Sequence, residues 1–265
     1  TQEDWQTFRD YYFNCIQDSD NHLMDILLAL KEMELLNNTI IIFTSDHGEM
    51  SGAHGLKGKG GLLYEENLHV PLVVYHPEYQ GGRSIQALTS HIDLAPTFIH
   101  MTGLSEERKA EISQGLPGKN LMPLIDGTTD SVREAALFCS DLISTSMARV
   151  VLGENRKILY FTIDESVRGL MRAVITPRYK FARYFSGNFN TPTTIEALLE
   201  NNDIVLYDLI NDPEEMHNLA DEHHTNKELI MEMNALLNKL ISQEIGVDDG
   251  KHFRQVVKEY RESLN

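Results

Sequence analysis

The 265-residue sequence predicts an α/β fold: part of a doubly wound mixed or parallel sheet with covering helices, then a smaller antiparallel sheet and a carboxyl-terminal helix. Three observations carry this. An apolar stripe of helical period runs directly into a continuous β-branched run. A second such run follows a glycine-rich loop and leads into another short helix. Beyond about residue 130 the pattern changes to shorter aromatic and β-branched runs separated by turns.

In chain order, Trp5 to about Leu36 reads as a helix, because Ile16, Leu23, Ile26, Leu27, Leu30 and Met33 recur mostly at spacings of three and four. Asn37-Asn38 breaks it. Thr39 to Thr44 is apolar on both faces, which suits a central parallel strand covered by helices. Val70 to Tyr75 is a second strand, bounded by Pro71 and Pro77. Asp93 to Met101 is a short helix with Pro96 in its first turn. The turn-rich stretch from Thr102 to about Asp130 is the expected boundary, giving domains 1–130 and 131–265. "AALFCSD", "RKILYFTI", "RAVITPRYKFARYF" and "NDIVLYDLI" follow as antiparallel strands. "DPEEMHNLA" turns the chain into a last helix with Leu229, Met233, Leu236, Leu237 and Leu240 along one face.

The formal charge of −17 argues against a nucleic-acid partner, whose phosphates call for a basic face. No stretch reaches the roughly 18 uncharged apolar residues of a membrane-spanning helix. Cys15 and Cys139 are isolated thiols that form neither a disulfide framework nor a CxxC site.

The chemistry concentrates where the first strand ends. Ligands of a parallel α/β sheet gather at the carboxyl ends of its strands, and there stand Asp46 and His47, a carboxylate beside an imidazole, credible ligands to one divalent cation. The loop that follows carries Gly52, Gly55, Gly58, Gly60 and Gly61, which allow close backbone approach to an anion. Lys57 and Lys59 offer ammonium groups to an oxyanion, and His54 could protonate a leaving oxygen. The plain alternative is a solvated loop in which Asp46 caps a turn.

The run "NTIIIFTSDHGEMSGAHGLKGKGGLLYEENLHVPLVV" resembles the signature of the carboxyl half of the type I sulfatases, in the alkaline-phosphatase-like superfamily. The likeness continues through "SHIDLAPTFIHMTGL" and "LYDLINDPEEMHNLA", and the helix "YYFNCIQDSDNHLMDILLALKEMELL" fits the family's helix ahead of that strand. The resemblance implies that Asp46 and His47 are the second pair of ligands to one divalent cation, usually Ca2+ and sometimes Mg2+. It implies that Lys59 contacts the sulfate group and that His54 matches a histidine of the same loop. Lys57 receives no role. His91, Asp93, Arg178 and Lys180 are expected to organise the fold. The implied reaction is hydrolysis of a small-molecule or glycan sulfate ester by a formylglycine made from Cys or Ser.

That nucleophile resides in a C-x-P-x-R or S-x-P-x-R motif, which these 265 residues lack; Cys15 and Cys139 have neither the Pro nor the Arg. The expectation is therefore the carboxyl-terminal portion of a longer sulfatase, with formylglycine in the amino-terminal half. Such a portion alone should be inactive, bind cations weakly, and associate with itself or with that half. The alternatives are a phosphodiesterase or phosphonate monoester hydrolase of the same superfamily, or a non-catalytic binding protein.

Overall fold

The structure is a computed structural model. It describes residues 1–141, 148–152, 158–163, 167–187 and 191–248, with 255, 258, 259 and 262 singly. The chain divides into two compact units: Thr1–Ile85 with Ile125–Gly127, and Gln86–Leu124 with Thr128–Asn265.

The first unit opens on helix α1, Gln2–Glu32, started by a capping box in which the Thr1 hydroxyl accepts from the Asp4 N–H. Its half-buried positions are Trp5, Phe8 and Tyr12, then Leu23, Leu27 and Leu30, again at spacings of three and four. Ile16, Ile26 and Met33 of the expected stripe are exposed instead, and no α1 residue is buried. After a 3₁₀ turn at Leu36–Asn38 comes strand β1, Ile41–Thr44. The one-turn helix α2, Glu65–Leu68, precedes strand β2, Leu72–Tyr75.

β1 and β2 pair antiparallel, Ile41 opposite Tyr75 and Thr44 opposite Leu72; no parallel pair occurs among the described residues. The run 39–44 suits burial on both faces, yet Phe43 and Val73 keep 39% and 59% of their surface. Each strand of a two-stranded pair has one neighbour, and so little to cover its faces. The buried residues of this unit are Met50, Leu63 and Asn67, all in the segment between the strands, Asn67 within α2.

The second unit begins with a 3₁₀ turn at His91–Asp93 leading into α3, Leu94–His100, with Pro96 in its first turn as expected. Asp93 is fully buried: its carboxylate accepts from the backbone N–H groups of Ser90 (2.8 Å) and Lys119 (2.6 Å) and pairs with the Arg133 guanidinium. Its role here is to organise the fold: the Ser90 bond caps its own turn, and those with Lys119 and Arg133 tie in segments 26 and 40 residues away. Helix α4, Glu106–Ser113, interrupts the stretch read as turns. It escapes periodicity because its support is a Ser105 cap and the pairs Lys109–Glu106 and Arg108–Glu111, with little apolar surface. Helix α5 is Met122–Asp126, whose last residues fall to the first unit.

The strands beyond are antiparallel, as their spacing requires. β3 (Ala136–Ser140) pairs with β6 (Leu170–Ile175), β6 with β7 (Tyr179–Phe185), and β7 with β8 (Asp203–Asp208). β4 (Ala148–Leu152) and β5 (Ile158–Ile163) form a separate pair. Helix α6, Ile195–Asn201, capped by Thr194, precedes β8. Helix α7, Lys227–Glu244, packs on β3, β6 and β7. Its buried face runs through Ile230, Met233, Leu237 and Ile241 and joins Val174, Phe181, Leu198 and Leu206 in one core; Leu229 and Leu236 of the expected face are partly buried at its margin.

β7 alternates in a way that only burial on both sides explains. Phe181 enters the α7 core, and Arg183 gives 2.7 Å hydrogen bonds to Asn234 and Asn238 of that helix. Burial pulls the Arg183 guanidinium down to about 10. Lys180, wholly buried, meets the buried Glu215 carboxylate at 2.7 Å. Asp208, at the end of β8, accepts from Arg178 at 3.0 Å and from Asn211 at 2.8 Å; chiefly the Arg178 bond holds its carboxyl at about 2.

Two outcomes follow. Lys180→Met should lower unfolding free energy by ~3–5 kcal/mol in chemical denaturation, because the buried Glu215 carboxylate loses its ammonium partner, and adding Glu215→Leu should recover most of the loss. Asp208 has a depressed folded pKa, so its contribution is complete above its ordinary 3.8 and disappears as pH falls through about 2. Melting temperatures of Asp208→Asn should therefore lack the component that the wild type loses across that window.

Candidate functional site

The chain leaves β1 at Thr44 and turns sharply at Gly48. A Cβ on Gly48 would lie 1.9 Å from the Glu66 carbonyl oxygen, and the Gly48 N–H donates to the Asn67 carbonyl at 2.9 Å. Only glycine permits that approach. It presents Asp46 and His47 together at the strand end.

The orientation of His47 follows from its partners. Nδ1 is 2.9 Å from the Gly48 carbonyl oxygen, which can only accept, so Nδ1 carries the proton and Nε2 carries the lone pair. Nε2 lies 3.4 Å from Asp46 Oδ2 and 2.6 Å from Lys59 Nζ. The Asp46 carboxylate is 84% exposed and also accepts from the His47 N–H at 3.0 Å. Desolvation raises its pKa, but neighbouring His47, backbone N–H groups and the Lys59 ammonium together hold it below the ordinary value.

The structure thus brings Asp46, His47 and Lys59 together. His54 sits in the same loop, in a 3₁₀ turn at Ala53–Gly55 with φ of +52°, and its ring stacks on Tyr64 at 3.7 Å. Lys57 is exposed. Trp5 of α1 packs within 3.5 Å of the Cβ position of Gly52. Glu49, Tyr64 and Asn67 also shape this loop, though the sequence carries no spacing signal that singles them out; their parts follow from the path the loop takes.

The donor set suits a divalent cation. A carboxylate oxygen and an imidazole lone pair face one point, and the Lys59 ammonium already takes a cation's part there. Two residues are an incomplete set, and no group of three or more His, Cys, Asp or Glu suited to a metal occurs among the described residues. Lys59 adds a compact positive charge beside the pair, so the arrangement can neutralise an anionic group on two sides.

Residues 1–104 match the family model named Sulfatase. The chain is 26% identical over 241 residues to Arylsulfatase K of Xenopus laevis, covering 91% of this chain and 38% of that protein. It is 33% identical over 213 residues to the "Uncharacterized sulfatase YidJ" of Escherichia coli K12, covering 80% and 34%. The chain therefore spans well under half the length of the curated relatives it matches. Among solved structures, it is similar to one in complex with its substrate D-glucosamine-2-N,6-O-disulfate (TM-score 0.62, 22% identical, covering 87% of this chain and 40% of that one). It is also similar to the phosphonate monoester hydrolase of Agrobacterium radiobacter (TM-score 0.60, 26% identical, covering 85% and 39%). The solved structures share the α/β fold, and the family match over residues 1–104 takes in the helix, strand and loop that carry Asp46, His47 and Lys59. Residues 1–104 thus match the Sulfatase family, and over most of its length the chain is similar to sulfatases.

Proposed function

We propose that this chain supplies the cation-binding and oxyanion-facing part of a sulfuric ester hydrolase acting on sulfate monoesters. The observation that carries this reading is the convergence of Asp46, His47 and Lys59 at the end of β1. Asp46 and His47 would hold a divalent cation, which supplies Lewis-acid neutralisation of charge on the sulfate oxygens. Calcium is the cation the resemblance favours, with Mg2+ the alternative; the exposed Asp46 carboxylate and the His47 Nε2, 3.4 Å apart, would be its ligands from this chain. One lone pair serves one partner, so cation and Lys59 ammonium are alternative partners of Nε2.

Lys59 then binds a non-bridging oxygen of the ester and stabilises the charge that grows there as the sulfur–oxygen bond breaks. His54, held by its stack on Tyr64, is the candidate donor of a proton to the departing oxygen. The nucleophile, a formylglycine in a C-x-P-x-R or S-x-P-x-R motif, belongs to sequence outside these 265 residues; the small share of the relatives' length covered supports this. Residues 1–130 then form the carboxyl-side part of the catalytic α/β domain, and 131–265 a smaller subdomain. Exposed Tyr11, Phe13 and Ile26 on α1 support pairing with that further sequence or with a second copy. The glucosamine disulfate bound by a structural neighbour supports a sulfated glycan as substrate.

The likeness to a phosphonate monoester hydrolase favours one second reading, transfer of a phosphonyl group at the same loop. Parallel assays of the complete protein with an aryl sulfate and an aryl phosphonate separate the two. Hydrolysis of the sulfate should be the faster and should stop with chelator. Lys59→Met should cut kcat by about 10²–10³, the cost of one lost oxyanion contact; activity kept within twofold overturns the reading. The 265-residue chain alone should show no aryl sulfate turnover, and calorimetry should find weak calcium binding, weaker still in Asp46→Asn; sub-micromolar affinity contradicts an incomplete ligand set.

A further inference from the structure

The backbone on either side of Lys59 is not held by side-chain packing. A Cβ on Gly55, Gly58 or Gly60 would have no heavy atom within 4 Å, and both sequence neighbours of Lys59 are among these glycines. A long, flexible side chain on such a backbone would sample many positions, and ordering it costs on the order of 1–2 kcal/mol per residue. Yet Nζ is 2.6 Å from His47 Nε2. Something other than packing must fix the backbone at 58–60.

Two side chains do so, one on each flank of Lys59. Glu49 Oε1 accepts from the Gly58 N–H in a short bond and from the Ser51 N–H at 3.3 Å, while the Met50 N–H donates to the Gly58 carbonyl at 3.1 Å. Gly58 itself has φ of +80°. On the other flank, Asn67 Nδ2 donates to the Gly60 carbonyl at 3.0 Å and to the Leu62 carbonyl at 2.9 Å. Carbonyls only accept, so the Asn67 amide has one workable orientation. Asn67 is 4% exposed, and its Oδ1 is buried with no hydrogen-bond partner among the described residues. A buried acceptor without a partner costs about 1–3 kcal/mol, which an apolar residue here would avoid. The two loop bonds offset that cost.

Both clamps are rooted at the cation-facing pair. Glu49 directly follows Gly48, and the Asn67 carbonyl accepts from the Gly48 N–H. The loop therefore leaves His47, runs out through the 3₁₀ turn, and is tied back on both sides of Lys59 to the residues adjoining His47. Met50 and Leu63, the other buried residues of this unit, lie toward the loop's two ends, away from Lys59.

We propose that Glu49 and Asn67 are the positioning residues of Lys59, bonding the backbone on either side of it so that its ammonium meets the Asp46–His47 pair. That this placement serves ester hydrolysis rests on the function proposed above; the placement itself does not. Chemistry separates the two clamps from bulk packing. Gln at position 49 can still accept through Oε1 and Ala cannot. Asp at position 67 has the shape of Asn but no N–H to give.

The test is the imidazole 15N spectrum of the labelled 265-residue chain. Lys59→Met defines the displacement of the His47 Nε2 resonance when the ammonium is gone. Glu49→Ala and Asn67→Asp should each reproduce at least half of that displacement, and Glu49→Gln should stay at the wild-type position. Circular dichroism melts show which variants are folded; should Glu49→Ala unfold, Glu49→Asp, with reach shortened by one methylene, takes its place. The proposal is overturned if Lys59→Met does not move the resonance, or if the variants at 49 and 67 leave it where the wild type has it. In the complete protein, Glu49→Ala should lower kcat/KM for an aryl sulfate by about tenfold or more and Glu49→Gln by less than about threefold, the scale expected for a misplaced group. If the resonance pattern holds while turnover is unchanged, the catalytic role of Lys59 fails and the positioning role stands.

Discussion

The close approach of the chain at Gly48 to Glu66 and Asn67 governs the rest of the site. With 1.9 Å between a would-be Cβ and the Glu66 oxygen, the backbone can pass there only without a side chain. The hydrogen bond that results, Gly48 N–H to Asn67 carbonyl, joins the end of β1 to α2 across the whole intervening loop. Loop closure of that kind is entropically costly and needs bonds to maintain it. Here they are concentrated at Gly48, Gly58 and Gly60, and the loop's buried side chains supply the packing that the β1–β2 pair does not.

The same turn decides the electronic character of His47. Because Gly48 offers its carbonyl to Nδ1, the lone pair is directed through Nε2 toward Asp46 and Lys59. A histidine whose outer nitrogen is spoken for by a backbone carbonyl is the arrangement metal sites use to fix a tautomer. Thus one backbone constraint sets where the chain turns, which nitrogen is available, and which segment returns to meet it.

The second unit solves a different problem. Its sheet buries both faces, so the charged residues on the two faces of β7 need partners inside the protein: Lys180 has Glu215 on one, Arg183 has Asn234 and Asn238 on the other; outside the sheet, buried Asp93 has Arg133. Such networks cost desolvation, which the partner brought to each charge offsets. They join segments distant in sequence, among them the "NDPEEMHNLA" turn that contributes Glu215.

Local pattern was enough to read the strand at 41–44, the antiparallel runs beyond 130 and the helices at 94–100 and 227–244, and to single out Asp46, His47, Lys59 and His54 as candidates, because apolar periodicity and strand-end position are properties of neighbours in sequence. Tertiary structure decided what depends on distant partners. α1 lies half-exposed and α4 forms on caps and ion pairs, neither of which periodicity reports. His54 stacks on Tyr64, ten residues on, and Lys59 reaches His47 because Glu49 and Asn67 hold the loop between them. A glycine-rich loop has many paths open to it, and only its long-range hydrogen bonds select one.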